Sequence, residues 1–337
     1  MALVRLLAVC LAVLGVGACG GGGGGGTAGS KLFVADSGTD AIGSVANPNP
    51  GAGSVKIDRI VTGTSSNSIS GTIPALLLDA ARDQLYVSNE TSIFVFHNAR
   101  FANGPVEYNR RIATIAPLHS GNFNSLQLDA GRDMLYVGDL SAGVRVYHNA
   151  SSSNEAGGPD RLPDRTISTP SIGAGAPPLL VRDIALDAGR DVLYVAVDGQ
   201  SGPPSMSVLV FDHASGRDGA TLVPDRTITI SASAFGTMGL YIDAANDRLY
   251  VADSSGSVLI FEAASTKSGS IGADRGVSLP SVILRLAVDS MNDRLYAAGS
   301  SALYIVPTIS TAPAGPLNAT AAVAAPGSVF TAVAFRP

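Results

Sequence analysis

The sequence predicts an all-β fold, a six-bladed β-propeller of four-stranded antiparallel blades, closed by pairing its N-terminal and C-terminal strands in one blade. Three observations carry that reading. A strand–turn–strand motif recurs five times, and half-motifs at the two ends of the repeats complete each other. Helix breakers are abundant, with 39 Gly and 19 Pro in 337 residues. A hydrophobic fraction of 46% is enough for a sizeable core, and 15% charged residues exclude a chain-long disordered protein. The net charge of −5 argues against a nucleic-acid partner held by phosphate contacts.

Residues 1–18 have the parts of an export signal: Arg5, an apolar run from Leu6 to Val16, then small residues. The run is too short to span a bilayer comfortably as a helix. Leu14-Gly15-Val16-Gly17-Ala18-Cys19 resembles a bacterial lipobox. That resemblance implies cleavage after Ala18, acylation of Cys19 and a membrane held through N-terminal acyl chains. Cysteine usage agrees, since Cys10 and Cys19 are the only two and cleavage would leave a lone thiol with no internal partner. Residues 19–30 read as a tether, because Gly20 to Gly26 are all glycine and carry no side chains for a core. About 11 such residues reach roughly 17–20 Å. Gly20 after the Cys implies passage to the outer membrane, on its periplasmic side or at the cell surface, in a Gram-negative host.

Residues 31–337 are the repeats. Strand a ends at Asp79, Asp129, Asp187, Asp243 and Asp289, and a Tyr follows seven residues later each time, at Tyr86, Tyr136, Tyr194, Tyr250 and Tyr296. The Asp residues are 50, 58, 56 and 46 positions apart, so length varies in loops around a fixed hairpin. Strand b is Leu-Tyr-Val or close to it. Strand c is typified by Ile93-Phe94-Val95-Phe96, and strand d carries Asp-Arg or Asn-Arg, as at Asp164-Arg165. Leu32-Phe33-Val34 matches strand b with no strand a before it. Thr331-Ala332-Val333-Ala334-Phe335 matches strand a, with Phe335 46 residues after Asp289. Joined, they make a sixth blade and remove exposed sheet edges.

Gly239-Leu240-Tyr241-Ile242-Asp243, continuing through Arg248-Leu249-Tyr250-Val251-Ala252-Asp253 and Ser257-Val258-Leu259-Ile260-Phe261, resembles an NHL-type propeller repeat. The Asn-Arg usual before strand c is missing, so the resemblance is to the superfamily. It implies a binding platform, with six-bladed lactonases and lyases among related folds. Fold alone does not choose between them.

Residues present in every blade are expected to be structural. The Asp of each a–b turn should accept backbone hydrogen bonds, the Arg of strand d should pair with turn carboxylates, and the strand b Tyr should pack between blades. Asp36, Asp139 and Asp253 read as turn chemistry or as a cation ring. His97, His148 and His213 sit at or just past the end of strand c, and only His119 lies outside the pattern; this is no metal signature. Glu90, Glu107, Glu155 and Glu262 are poorly placed for the carboxylate of a metal-dependent lactonase. No catalytic residue and no cofactor is expected.

The best ligand-binding candidates are the unrepeated Arg182, Asp183 and Arg285, with Asn124, at the starts of strands a near the channel. Ala75, Ser125, Gly239 and Thr331 stand at that level in the other blades. Two Arg beside one Asp leave a spare positive charge suited to a carboxylate or acidic glycan, or the cluster plugs the channel mouth. The leading expectation is a membrane-anchored, extracytoplasmic, non-catalytic platform for a protein, glycan or anionic small molecule. The alternatives are a hydrolase or lactonase and a structural envelope component.

Overall fold

The structure is a computed structural model that describes residues 31–37, 40–46, 48, 59–62, 72–89, 92–113, 123–152, 161–170, 179–198, 206–219, 222–230, 237–316, 320–323 and 329–336. The leader, Cys19, the tether, Glu90, His119 and Glu155 lie outside the described residues. The fold is an all-β ring of six antiparallel blades. In order from strand a to strand d, blade 1 is Phe330–Arg336, Lys31–Asp36, Ala41–Ala46 and Arg59–Thr62, so it joins the two ends of the repeats. Blade 2 runs from Ala75–Asp79 to Arg110–Ala113, and blade 3 from Phe123–Asp129 to Arg165–Ile167. Blade 4 runs from Leu180–Asp187 to Arg226–Ile230, and blade 5 from Thr237–Asp243 to Arg275–Ser278. Blade 6 runs from Ile283–Asp289 to Thr320–Val323. Each strand a touches the strands a of both neighbouring blades, and the series closes on itself. Among the described residues the only helical pieces are three-residue 3₁₀ turns after strand c, at Ala99–Phe101, Ala214–Gly216 and Ala264–Thr266.

The core is distributed between blades. Six apolar clusters each draw on two neighbours, including blades 6 and 1, where Leu32, Val34 and Phe330 meet Ala287, Tyr296 and Ile305. The strand b aromatics, Phe33 and the five Tyr, are wholly buried there. A blade therefore has little core of its own, and closure buries two faces at once.

Repeated polar residues build the frame. Asp79 Oδ1 accepts from the amides of Ala81 and Arg82, and Oδ2 accepts from Arg82 Nη1 at 2.8 Å. Arg82 Nη2 reaches on to the Ala130 carbonyl of blade 3. Asp129 with Arg132, and Asp187 with Arg190, repeat this contact toward blades 4 and 5. Asp243 and Asp289 are held by the neutral Asn246 and Asn292 instead. A second repeated Asp lies four residues on. Asp83, Asp133, Asp191, Asp247 and Asp293 have φ between 50° and 59°. Asp133, Asp191, Asp247 and Asp293 accept from a Ser amide and hydroxyl after strand c.

The outer rim links blades as well. Short segments beyond strand c add in parallel to the preceding blade's strand d, pairing Val61 with Gly104, Ile228 with Gly269 and Val277 with Gly315. These glycines have φ of 76°, 80° and 109°, and a Cβ would meet nothing within 4 Å, so backbone conformation rather than space demands Gly.

Two expectations need correction. Among the described side chains, the strand d Arg residues reach carbonyls of the next blade rather than the a–b turn carboxylates. Arg110 Nη1 donates to the Ala150 carbonyl at 2.8 Å, Arg165 Nη1 to that of Arg217 at 2.6 Å and Arg275 Nη1 to that of Ile309 at 3.1 Å. Strand d is outermost, and its Arg reaches sideways to the next blade. The closing strand is also displaced by one residue. Phe335 pairs with Leu32 and Arg336 with Lys31, so Arg336 occupies the place of the turn Asp and Ala332, not Thr331, stands level with Asp183. Strands a and b of this blade come from distant parts of the chain, so no a–b hairpin needs an Asp.

Candidate functional site: a channel closed at one end

The six strands a surround the axis. Toward the b–c and d–a loops, register shifts insert one residue in strands a of blades 3, 4, 5 and 6, at Asn124, Arg182, Met238 and Leu284. Such bulges re-aim side chains. Asn124 Nδ2 donates to the Val181 carbonyl at 2.6 Å, and Thr331, at the bulge of blade 1, donates to that of Ile73 at 2.6 Å. These bonds stitch neighbouring blades at the channel end.

Arg182 turns away from the axis to Asp198 on its own blade, Nη2 to Oδ2 at 3.0 Å. Each Arg is thus matched by its own Asp, Arg182 by Asp198 and Arg285 by Asp183, which corrects the expected spare positive charge. Asp183 points inward and is only 3% exposed. Its Oδ2 accepts from the Leu240 amide at 2.7 Å, and its Oδ1 from the Ile184 amide at 2.9 Å. Arg285 Nε lies 3.9 Å from Oδ2. The Arg285 guanidinium donates to the Leu284 carbonyl at 2.6 Å and to the Asn124 carbonyl of blade 3, directly across the ring. Gly239 gives this side chain's backbone room, since a Cβ there would lie 3.1 Å from the Leu284 oxygen and 3.3 Å from Arg285 Cα. Burial pushes the Asp183 carboxyl up to about 6, opposed by Arg285 and the two amides. Asn124, Asp183 and Arg285 are therefore brought together as a closure, and Arg182 stands apart.

Below the closure is a cavity of about 40 Å³ touching Ser125, Asp183 and Arg285. Beyond it, toward the a–b turns, the channel widens into a well of about 340 Å³. Its wall includes Leu77, Leu126, Tyr241, Val288, Met291 and Phe335. Periodicity marks these residues only as strand a, or for Met291 as the a–b turn, so this well was not foreseeable as a site.

Of the loop-end carboxylates, Asp139 and Asp253 take part in turns, and Asp36 binds the closing segment. Asp139 Oδ1 accepts from the Ser141 and Ala142 amides, and its Oδ2 meets Arg145 at 2.6 Å. Asp253 Oδ1 accepts from the Ser255 and Ser257 amides. Asp36 Oδ1 accepts from the Val329 amide. His97 and His148 accept through Nε2 from Arg110 and Arg165, and burial followed by Arg110 pushes His97 down. Glu262 binds Arg248 and Arg275 at the outer rim. Among the described residues no group of three or more His, Cys, Asp or Glu could hold a metal ion.

The architecture defines a six-bladed β-propeller with a channel blocked toward its loops and open toward its a–b turns. No family model matches the chain, and no curated protein matches it. Among solved structures, a chain from the "Crystal Structure of Mitotic Checkpoint Complex" is similar over 74% of this chain, with 16% identity and a TM-score of 0.48. The match spans 64% of that chain's length.

Proposed function

We propose that the protein is a lipid-anchored, extracytoplasmic binding platform without catalytic turnover. The well of about 340 Å³, open at one end of a ring stiffened by inter-blade bonds, is the observation that carries the binding reading. The anchor rests on the lipobox-like run ending at Cys19 and the glycine tether. The tether joins the ring at Lys31, opposite Arg336 at the a–b turn end. Anchoring would thus set the open end of the channel toward the membrane. In a Gram-negative host that membrane is the outer one, and the partner is a protein, glycan or small molecule.

Fatty-acid labelling with membrane fractionation tests the anchor. Wild-type protein takes up label and sediments with membranes, whereas Cys19→Ser does neither, since several acyl chains at about 0.8 kcal/mol per buried CH₂ hold firmly. Unlabelled wild type, or a mutant still bound to membranes, contradicts it. A second reading, a hydrolase, rests on the Asp183 carboxyl, which burial raises and which borders the cavity of about 40 Å³. Ester or lactone turnover lost in Asp183→Asn would establish that second reading.

A further inference from the structure

The turn end of the channel is electrically lopsided. In blades 2, 3 and 4 the a–b turn carboxylate carries an Arg partner, at 2.8, 2.6 and 2.6 Å. In blades 5 and 6 the equivalent Asp243 and Asp289 take amide donors from Asn246 and Asn292, while the Arg directly across each strand pair, Arg248 and Arg294, bonds to Glu262 and to the Pro48 carbonyl instead. Those two adjacent blades also supply most of the polar wall of the well, Tyr241 from blade 5 with Asp289 and Ser290 from blade 6, and Gln127 of blade 3 adds to it. The Tyr241 hydroxyl donates to the Val288 carbonyl at 3.2 Å, which fixes its ring beside the Asp289 backbone. Burial, and next the Asp243 carboxylate, push the Tyr241 phenol up, and Asp289 adds to it, so both charges act on this ring. The rest of the wall is leucine, valine and alanine with Phe335, and Met291 stands exposed on the rim.

From this arrangement we infer that the well binds a small apolar cation, a protonated or quaternary amine with a hydrocarbon body. The body enters toward Leu77 and Leu126, and the ammonium stays near the rim between Tyr241 and Asp289. An aromatic ring, and a carboxylate buried behind the wall and held by amides rather than by a guanidinium, both attract a cation and repel a carboxylate. A volume of about 340 Å³ equals the liquid volume of about eleven waters, which matches a ligand of about ten non-hydrogen atoms. The closure formed by Asp183 and Arg285 stops such a ligand from passing through. The inference deepens the binding-platform reading and rests on it, but it does not depend on the anchor.

The test is calorimetry of the full-length protein with three probes of similar size and different charge: benzyltrimethylammonium, 4-phenylbutanol and 4-phenylbutyrate. The cation should bind about tenfold more tightly than the alcohol, and the carboxylate most weakly. Asp289→Asn keeps an oxygen that can accept the Asn292 amide, so the turn persists while the preference for the cation falls about tenfold. Tyr241→Leu should weaken the same preference without removing the carboxylate, and Leu77→Trp should fill the well and abolish binding of all three. Melting temperatures near wild type show that the variants are folded. Equal binding of the three probes, no binding of the cation, or a preference intact in both Asp289→Asn and Tyr241→Leu would overturn the inference. Failure of Cys19 acylation leaves this binding unchanged, and failure of probe binding leaves acylation unchanged, so the two readings fail separately.

Discussion

The two ends of the channel differ in how they use charge. At the loop end, one buried carboxylate and one guanidinium, each from a single blade, cross the axis and close it. At the turn end, carboxylates recur in five blades, grip their own turns and leave an apolar well open. Repetition produces the frame, while departures from it produce the asymmetry on which a site depends. The same lesson applies to Arg182 and Arg285, which look alike in sequence: one serves a local ion pair and the other spans the ring.

The largest expected effect comes from reopening the ring. Deleting residues 328–337 removes strand a of blade 1, including Phe330 and Val333, which are 2% and 7% exposed. Full burial of such side chains contributes about 1.5–3 kcal/mol each, against a typical total stability of about 5–15 kcal/mol. A thermal melt should show loss of cooperative unfolding or a large fall in midpoint. An unchanged melt would detach the closing strand from the account of both channel ends.

Next is the closure itself. Arg285→Met leaves the buried Asp183 carboxylate without its cation and should cost about 3 kcal/mol in urea unfolding. The double variant Asp183→Asn with Arg285→Met should recover much of that loss, because no lone charge remains. A single variant as stable as wild type would make the loop end no different from a surface ion pair.

Much of the fold is legible in sequence because turn geometry repeats. The seven-residue step from Asp to Tyr fixes the hairpin, and the unmatched half-motifs reveal ring closure. The second Asp, from Asp83 to Asp293, was equally visible as a repeat, but its left-handed φ and its bond to a Ser beyond strand c depend on tertiary approach. Arg285 shows the limit more sharply. Its partner carbonyl, on Asn124, is 161 residues away, and a carbonyl has no signature in a sequence. The one-residue displacement at Thr331 arises because a loop hides the register that strand pairing sets.

The pH dependence sharpens the contrast. Asp183 binds its proton more tightly folded, at about 6, than its ordinary value of 3.8. The unfolded chain therefore holds fewer protons between those values, and this group's contribution to stability falls as pH rises through 6. Its contribution is fully present below about 3.8, with a size of up to about 3 kcal/mol. Asp225, Glu262 and Asp274 are each pulled low by Arg, Lys or amide partners, so they act oppositely and favour folding above their unfolded values. Urea midpoints of wild type and Asp183→Asn between pH 4 and 8 should diverge as pH rises, with wild type losing ground. Parallel curves would contradict a buried carboxyl at this end.

The smallest effect is expected at Arg182→Ala. Its ion pair with Asp198 is about one-third exposed on the Arg side, so its loss should cost less than about 1 kcal/mol. A loss as large as that of Arg285→Met would merge the two arginines into one cluster and erase the distinction drawn between them.

The claim that the channel is closed at its loop end is tested most directly by the carboxyl-carbon NMR titration of Asp183. A closed channel predicts a midpoint near 6 in wild type and a higher one in Arg285→Met, where the favourable guanidinium is gone. A midpoint near the ordinary Asp value of about 3.9, unmoved by Arg285→Met, would place that carboxylate in water and contradict the closure.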